Sequence, residues 1–232
     1  MDEAEFDKFA QEYEAMHSAS VAVYGEGSEY FAEYKIGDIA REYAPRGEAG
    51  VSREILDFGS GIGSSVPYVQ KYFPTARLTC LDVSRRSLEV AQNRFPSLAQ
   101  YVHFDGGHIP FPEEHFDIVY TACVFHHVDH TEHVGLLREL HRVLRPGGTL
   151  FLFEHNPHNP LTVRIVDKCP FDEHARLISG RAMRQRVTAA GFATTKVRYR
   201  IFFPHPLRLL RPLERVLTWL PLGGQYCVLA QK

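Results

Sequence analysis

Apolar residues recur along the chain with two different periods, and the switch between them divides it. Up to residue 43 the spacing is helical: Phe6, Phe9, Tyr13 and Met16 share one face at roughly i, i+3/4, i+7. After the Gly25-Glu26-Gly27 break, Ser28 can cap a second helix running through Phe31, Ile36 and Ile39. From Arg53 onward, short apolar runs of strand length alternate with amphipathic stretches, the order of a parallel sheet with crossovers on both faces. The runs predict strands at 53–58, 76–82, 100–104, 116–121 and 148–154. Between them the pattern predicts helices at 64–73, from Ser84 through Leu88, Val90 and Phe95, and at 131–144 behind a Thr131 cap. Arg145-Pro146-Gly147-Gly148 reads as the turn that stops the last of these helices. Farther on come a helix at 179–190 ending at Gly191, a strand-like Thr194 to Phe203, and Gln225 to Ala230 as an antiparallel edge strand.

One junction is unusual. The run Ile55, Leu56, Phe58 leads into Gly59-Ser60-Gly61-Ile62-Gly63, a buried strand turning tightly into a helix where a ligand must touch the turn's backbone. The spacing is G-x-G-x-G. Dinucleotide folds carry G-x-G-x-x-G and seat a pyrophosphate on the helix N-terminus. Here Asp57 stands two positions before the first glycine, where a carboxylate repels a pyrophosphate and suits a cationic ligand. Asp82 closes the second strand 23 positions after Gly59, placed for both hydroxyls of a ribose. Asp105-Gly106 ends the third, a carboxylate and a flexible backbone that complete a ring around a nucleoside. A nicotinamide nucleotide would also want Asp82, so that residue alone marks a nucleoside without naming it.

Composition narrows the class. At 232 residues and a formal charge of −2, the chain suits one α/β domain with a cap and is not built for dominant phosphate-backbone binding. Four scattered cysteines form no C-x-x-C pair, and buried reduced thiols are expected. Met1-Asp2-Glu3 does not open a signal peptide and no apolar run approaches a membrane span, so a cytoplasmic location is expected.

Four segments in order now carry a resemblance. These are the glycine loop behind Asp57, the Asp82 strand end, Phe104-Asp105-Gly106 with Ile109-Pro110-Phe111, and Arg142-Val143-Leu144-Arg145-Pro146-Gly147-Gly148. Together they resemble class I S-adenosylmethionine-dependent methyltransferases of the small-molecule type, similar to those of ubiquinone and menaquinone biosynthesis, over about residues 53–155. The resemblance implies an α/β, Rossmann-like, doubly wound seven-stranded mixed sheet with the last strand antiparallel. It implies a helical cap or lid at 1–45 and a methyltransferase domain at 46–232 with substrate-side insertions at 156–220. The cofactor is then S-adenosyl-L-methionine, leaving as S-adenosyl-L-homocysteine. Its contacts carry over to Asp57, Gly59, Ser60, Gly61, Gly63, Asp82, Val83, Asp105, Gly106, Ala122 and His127, with Tyr13 (and less directly Tyr24) reaching from the cap. A non-catalytic module binding S-adenosylmethionine or a nucleoside is the alternative.

For methyl transfer to an acceptor hydroxyl, most catalysis is positioning, but the proton must still leave. His126 and His127, after the fourth strand, are the first candidates for that base, and His155 at the end of the fifth is the third. His126, His127, His130 and His133 invite a metal reading, with His126/His130 at i, i+4 and Asp129 to add oxygen ligation, but a Thr131 cap breaks the helical continuity between these histidines and no metal is expected. Ala122-Cys123-Val124-Phe125 does not resemble the Asn/Asp-Pro-Pro-aromatic loop of amino-methylating DNA enzymes, and Cys123 has no preceding proline; a small-molecule acceptor and no nucleic acid are expected. Asn156-Pro157-His158-Asn159-Pro160 is a rigid polar loop suited to substrate contacts. The leucine-rich Pro204–Leu220 insert, with Arg208, Arg211, Arg215 and Trp219, reads as a packed crossover with solvated arginines. Its alternative is a surface that meets membrane or lipid substrate, a peripheral contact without stable insertion.

Overall fold

The computed structural model describes residues 25–43 and 53–232. Tyr13, Tyr24 and the loop at 45–50 lie outside these residues. Helix α1 (Ser28–Tyr43) is followed by β1 (Glu54–Phe58), α2 (Val66–Tyr72), β2 (Arg77–Asp82), α3 (Arg85–Arg94), β3 (Gln100–His103) and β4 (Phe116–Ala122). Then come α4 (His133–Val143), β5 (Leu144–His155), α5 (Pro160–Val166), α6 (Gly180–Ala189), β6 (Thr194–Arg200) and β7 (Gln225–Gln231). Short 3₁₀ segments lie at Phe125–His127, Pro170–Asp172 and His205–Arg215.

The strands form one sheet in the order β3-β2-β1-β4-β5-β7-β6. Neighbours from β3 to β5 pair in parallel, while β7 runs antiparallel to both β5 and β6. The sheet is therefore mixed and seven-stranded with its last strand reversed, as the resemblance implies. One detail is corrected: β7 is not an edge. Tyr226, Cys227 and Val228 are apolar and buried, which fits an interior strand, whereas Thr194-Thr195-Lys196-Val197-Arg198 is polar enough to lie at the rim as β6.

Each face of the sheet has its own core. Ile55, Cys80, Ile118, Phe151 and Phe153 point to one side and meet Ile36 and Ile39 of α1 and Val66 and Val69 of α2. Leu56, Phe58, Leu81, Val119 and Leu152 point to the other and meet Leu137 and Leu140 of α4 and Met183 and Val187 of α6. The strands read as near-continuous apolar runs because both faces are covered. Helix α1 is thus part of a packed layer, and it is tied to the rim strand through Asp38 with Arg200 and Glu42 with Arg198.

Local chemistry explains most boundaries. Ser84 Oγ accepts from the Ser87 N–H and starts α3; Ser179 does the same for α6 through Ala182. Thr131 does not cap α4. Asp129 Oδ1 instead accepts from both the Thr131 N–H (2.8 Å) and its hydroxyl (2.6 Å), closing a turn before the helix starts at His133. The Arg145–Gly148 turn is present as an irregularity within β5, where pairing with β4 jumps from Leu144 to Thr149. Arg145 and Arg142 are structural: the first pairs with Asp117, and the second donates to the Ile109 and Phe111 carbonyls.

Candidate active site

The carboxyl ends of β1, β2, β4 and β5 open into one cavity, where α1 and the segment 162–172 form its far wall. Open α/β sheets bind ligands in this position because their loops diverge there. One end of the cavity is built from the glycine loop. Gly59, Gly61 and Gly63 have φ of +76°, +52° and +74°, so all three occupy the left-handed region that side chains resist. Their roles differ. A Cβ on Gly59 would stand 2.4 Å from Val124 Cγ2, and one on Gly63 would stand 3.0 Å from Ala91 Cβ. A Cβ on Gly61 would meet nothing within 4 Å. The first and third glycines serve packing, and the middle one leaves the wall open.

Two carboxylates anchor that loop. Asp82 Oδ2 accepts from the Gly61 N–H (2.7 Å) and Oδ1 from the Ser84 N–H (2.9 Å), so it ties the loop to the start of α3. A carboxylate has about four acceptor positions, which leaves room for ligand hydroxyls. Asp57 Oδ2 accepts from Ser65 Oγ (2.5 Å) and Tyr120 OH (2.7 Å), although Ser65 stands where it could cap α2. Burial pushes the Asp57 carboxyl up to about 6, with the Ser65 and Tyr120 hydrogen bonds pulling the other way. Such a group gains from a cation beside it.

The other end is a histidine–carboxylate cluster. His126 is buried, with Nδ1 donating to Glu154 Oε2 at 2.7 Å and Nε2 facing Asp172 Oδ1 at 3.3 Å. Glu154 also accepts from the Phe125 N–H at 2.7 Å. Burial opposes charge on His126, but the two carboxylates outweigh it and hold the ring well above the ordinary range, as an imidazolium. Its neighbours respond oppositely. Burial and the His126 charge hold His127 down to about 4, and the same two causes hold His155 at about 4. His127 Nε2 lies 3.4 Å from Asp172 Oδ1, and the His155 ring centre is 5.2 Å from that of His126.

Of the predicted residues, Asp57, Gly59, Ser60, Gly61, Asp82, Val83, Ala122, His126, His127 and His155 line the cavity. Gly63 packs behind it. Asp105 and Gly106 do not line it: Asp105 is exposed, with Oδ1 accepting from the Gly107 and His108 N–H groups, and Gly106 sits beside Val83 at the rim. Cys123 is a strained position (φ +60°) whose thiol burial pushes up to about 11, so it is no thiolate nucleophile. The metal set read from the sequence is not assembled. His133 Nε2 donates to the Val128 carbonyl and Nδ1 accepts from Arg186. Among the described residues, the ligand atoms that do come within 4.8 Å of one another belong to His126, His127 and Asp172. The Asn156–Pro160 loop does not touch the cavity. Asn156 donates to the Pro221 and Gly223 carbonyls and Asn159 to that of Leu222, so the loop braces the return into β7.

Three cavity residues, Lys35, Asp172 and Gln225, escaped the sequence reading, as did Glu154, which contacts His126 without lining the cavity. Lys35 lies among Phe31, Ile36 and Ile39 on an otherwise apolar helix face, and Glu154 ends the run Leu150-Phe151-Leu152-Phe153. An unpaired charge inside an apolar pattern was the available signal for both. Asp172 and Gln225 carried none.

This fold is the one found in solved S-adenosylmethionine-dependent methyltransferases. Residues 56–152 match the family described as a methyltransferase domain. Over 124 residues, half of this chain and 48% of the other, the sequence is 32% identical to the ubiquinone/menaquinone biosynthesis C-methyltransferase of Ectopseudomonas mendocina. It is 36% identical over 107 residues to the demethylmenaquinone methyltransferase of Chlamydia trachomatis, 45% of each chain. The match thus spans about half the length of these curated relatives. Among solved structures, an S-adenosylmethionine-dependent methyltransferase of Thermotoga maritima, described as a possible histamine N-methyltransferase, superposes with a TM-score of 0.69 at 20% identity over 99% of both chains. The residues fit the cofactor: an open cradle at Gly61, acceptor capacity at Asp82, and a buried carboxylate at Asp57 whose charge a sulfonium or ammonium favours.

Proposed function

We propose that the chain transfers a methyl group to a small molecule bearing an acidic hydroxyl, of the phenol, enol or quinol kind. When bound, S-adenosylmethionine supplies an electrophilic methyl on a sulfonium. The chain's contribution is to hold the acceptor against it and to take the hydroxyl proton. His127 and His155 are neutral at pH 7 and share the cavity with the cofactor end, so either can accept that proton. Asp172, beside His127, stabilises the imidazolium that results. Bases held near 4 are weak, and that weakness selects the acceptor: an aliphatic alcohol keeps its proton, whereas an acidic hydroxyl yields it. Lys35, buried on the same wall with one proton given to the Phe31 carbonyl at 3.1 Å, offers positive charge to the resulting oxyanion.

The observation that carries this reading is geometric: His126 is held between Glu154 (2.7 Å) and Asp172 (3.3 Å), with the rings of His127 and His155 packed 4.1 Å and 5.2 Å from its own. A proton kept on His126 holds the neighbouring His127 neutral. Deprotonating a phenol or quinol makes both its oxygen and its neighbouring ring carbon nucleophilic. The hydroxyl oxygen is our first assignment, and transfer to carbon, as named for the C-methyltransferase of Ectopseudomonas mendocina, is the second. Turnover of a phenol and quinol panel with carbon-13-methyl S-adenosylmethionine separates them, since methoxy and ring-methyl carbons resonate apart. His127→Gln should lower kcat by about 10²–10⁴-fold if His127 is the base. Titration calorimetry that found nicotinamide nucleotides binding and S-adenosylmethionine not binding would overturn the whole reading. Binding without turnover across the panel would favour the non-catalytic module.

A further inference from the structure

The segment between β6 and β7 is amphipathic the wrong way round for a packed crossover. Its polar groups face the protein. Glu214 accepts from the backbone N–H groups of Phe202 and Phe203, each at 3.1 Å, and the Thr218 carbonyl accepts from Tyr199 N–H at 2.7 Å. Arg211 donates to Glu26 at 2.6 Å while its guanidinium lies 4.6 Å over the Tyr30 ring, so it is not the solvated arginine the sequence suggested. His205 adds a 2.9 Å contact to the same Glu26. The apolar groups face out. Nine large hydrophobic side chains are exposed among the described residues, and all but Tyr72 and Leu98 lie from Leu207 to Leu222. Leu209 is 88% exposed, Trp219 71% and Val216 67%. A cluster of this kind on a soluble surface marks a contact site, not a chance scatter.

We infer that this outward face is a docking platform for an anionic bilayer surface. Exposed leucine, valine and tryptophan in one short segment suit the boundary between headgroups and acyl chains, where tryptophan concentrates. Arg208 and Arg215 are exposed beside them, and Glu214, the acidic residue of the segment, spends its carboxylate on inward backbone groups. The outward charge is therefore positive, complementary to anionic headgroups. A second copy of the chain is a poorer occupant, because a two-fold contact through this face would set those arginines near their own equivalents. The prolines Pro206 and Pro212 and the turn at Leu207 prevent a long helix, so the contact is a clamped, irregular platform at the surface without insertion.

The platform also sits over the cavity's cap side. Ile201, just before it, packs with Phe31 and Ile165, and all three line the cavity. An acceptor with a lipid tail could pass from the bilayer to the histidine cluster without crossing water; that clause rests on the function proposed above, whereas docking rests on the surface alone. The test uses the chain's single tryptophan, Trp219, as its own probe. Titrated with phosphatidylcholine–phosphatidylglycerol vesicles at low salt, its emission should shift to the blue and be quenched by brominated lipids. Phosphatidylcholine alone should bind at least about ten-fold more weakly, as should Arg208→Glu/Arg215→Glu. Leu209→Glu/Val216→Glu should abolish the shift while melting temperature and S-adenosylmethionine affinity stay unchanged. Absence of a shift with either vesicle, or the same shift in the Leu209/Val216 variant, would overturn docking. So would a dimer in light scattering that those variants dissolve, which would make a second copy the occupant. Vesicle binding without turnover of any acceptor would support docking and count against the proposed acceptor alone.

Discussion

The two ends of the cavity solve the problem of holding charge by different means. At the glycine loop, the cavity wall is made by backbone: positive-φ glycines shape the turn, and Asp82 pins Gly61 to the start of α3. At the histidine end, the wall is made by side chains from separate parts of the chain. His126 follows β4, Glu154 closes β5, Asp172 lies beyond α5 and Lys35 comes from α1. The first end is local and repeats in any sequence that forms the same turn. The second exists only when four segments converge, and its protonation is a property of the assembly.

The largest effect that tests this contrast is on stability. His126→Asn leaves Glu154 and Asp172 buried without their cation, and should cost about 3–5 kcal/mol by urea unfolding at pH 7. Much of that loss should return near pH 5, where one carboxylate can take up a proton. A cost under about 1 kcal/mol at pH 7 would mean that the clamp does not hold an imidazolium.

Next comes Asp82→Ala at the other end. Losing charge-assisted hydrogen bonds should weaken S-adenosylmethionine by about 1–3 kcal/mol in titration calorimetry. His126→Asn, measured the same way, should move that affinity far less. Equal losses in the two variants would erase the division between the ends.

The wild-type pH dependence is a subtler test. His127 and His155 are held at about 4, so between pH 4 and about 6.5 the unfolded chain binds more protons and stability rises with pH. Asp57, pushed up to about 6, opposes this with one proton against two. Above about 6.5 the folded chain keeps the His126 proton that the unfolded chain has lost, so stability falls as pH rises. Unfolding free energy should therefore peak near pH 6.5; a steady climb through pH 8 would remove the imidazolium.

The smallest effect concerns Asp105. Exposed, with one oxygen committed to the Gly107 and His108 N–H groups, it should lose less than about five-fold in cofactor affinity when changed to Ala. A loss matching that of Asp82→Ala would show that binding draws this strand end inward, as the resemblance implies.

What the sequence determined by itself follows from local rules. Apolar runs of strand length, the cap at Ser84, and the G-x-G-x-G turn behind Asp57 each depend on residues within about one turn of one another. They placed the strands, the crossovers and the nucleoside end of the cavity. The tertiary structure alone decided the rest. That β7 lies inside the sheet and β6 at its rim depends on which neighbour each strand meets. That His126 is charged while His127 and His155 are neutral depends on Glu154 and Asp172, 28 and 46 residues away. Charge states and exposed faces are set by what is brought near through folding, and a residue's neighbours along the chain carry no record of them.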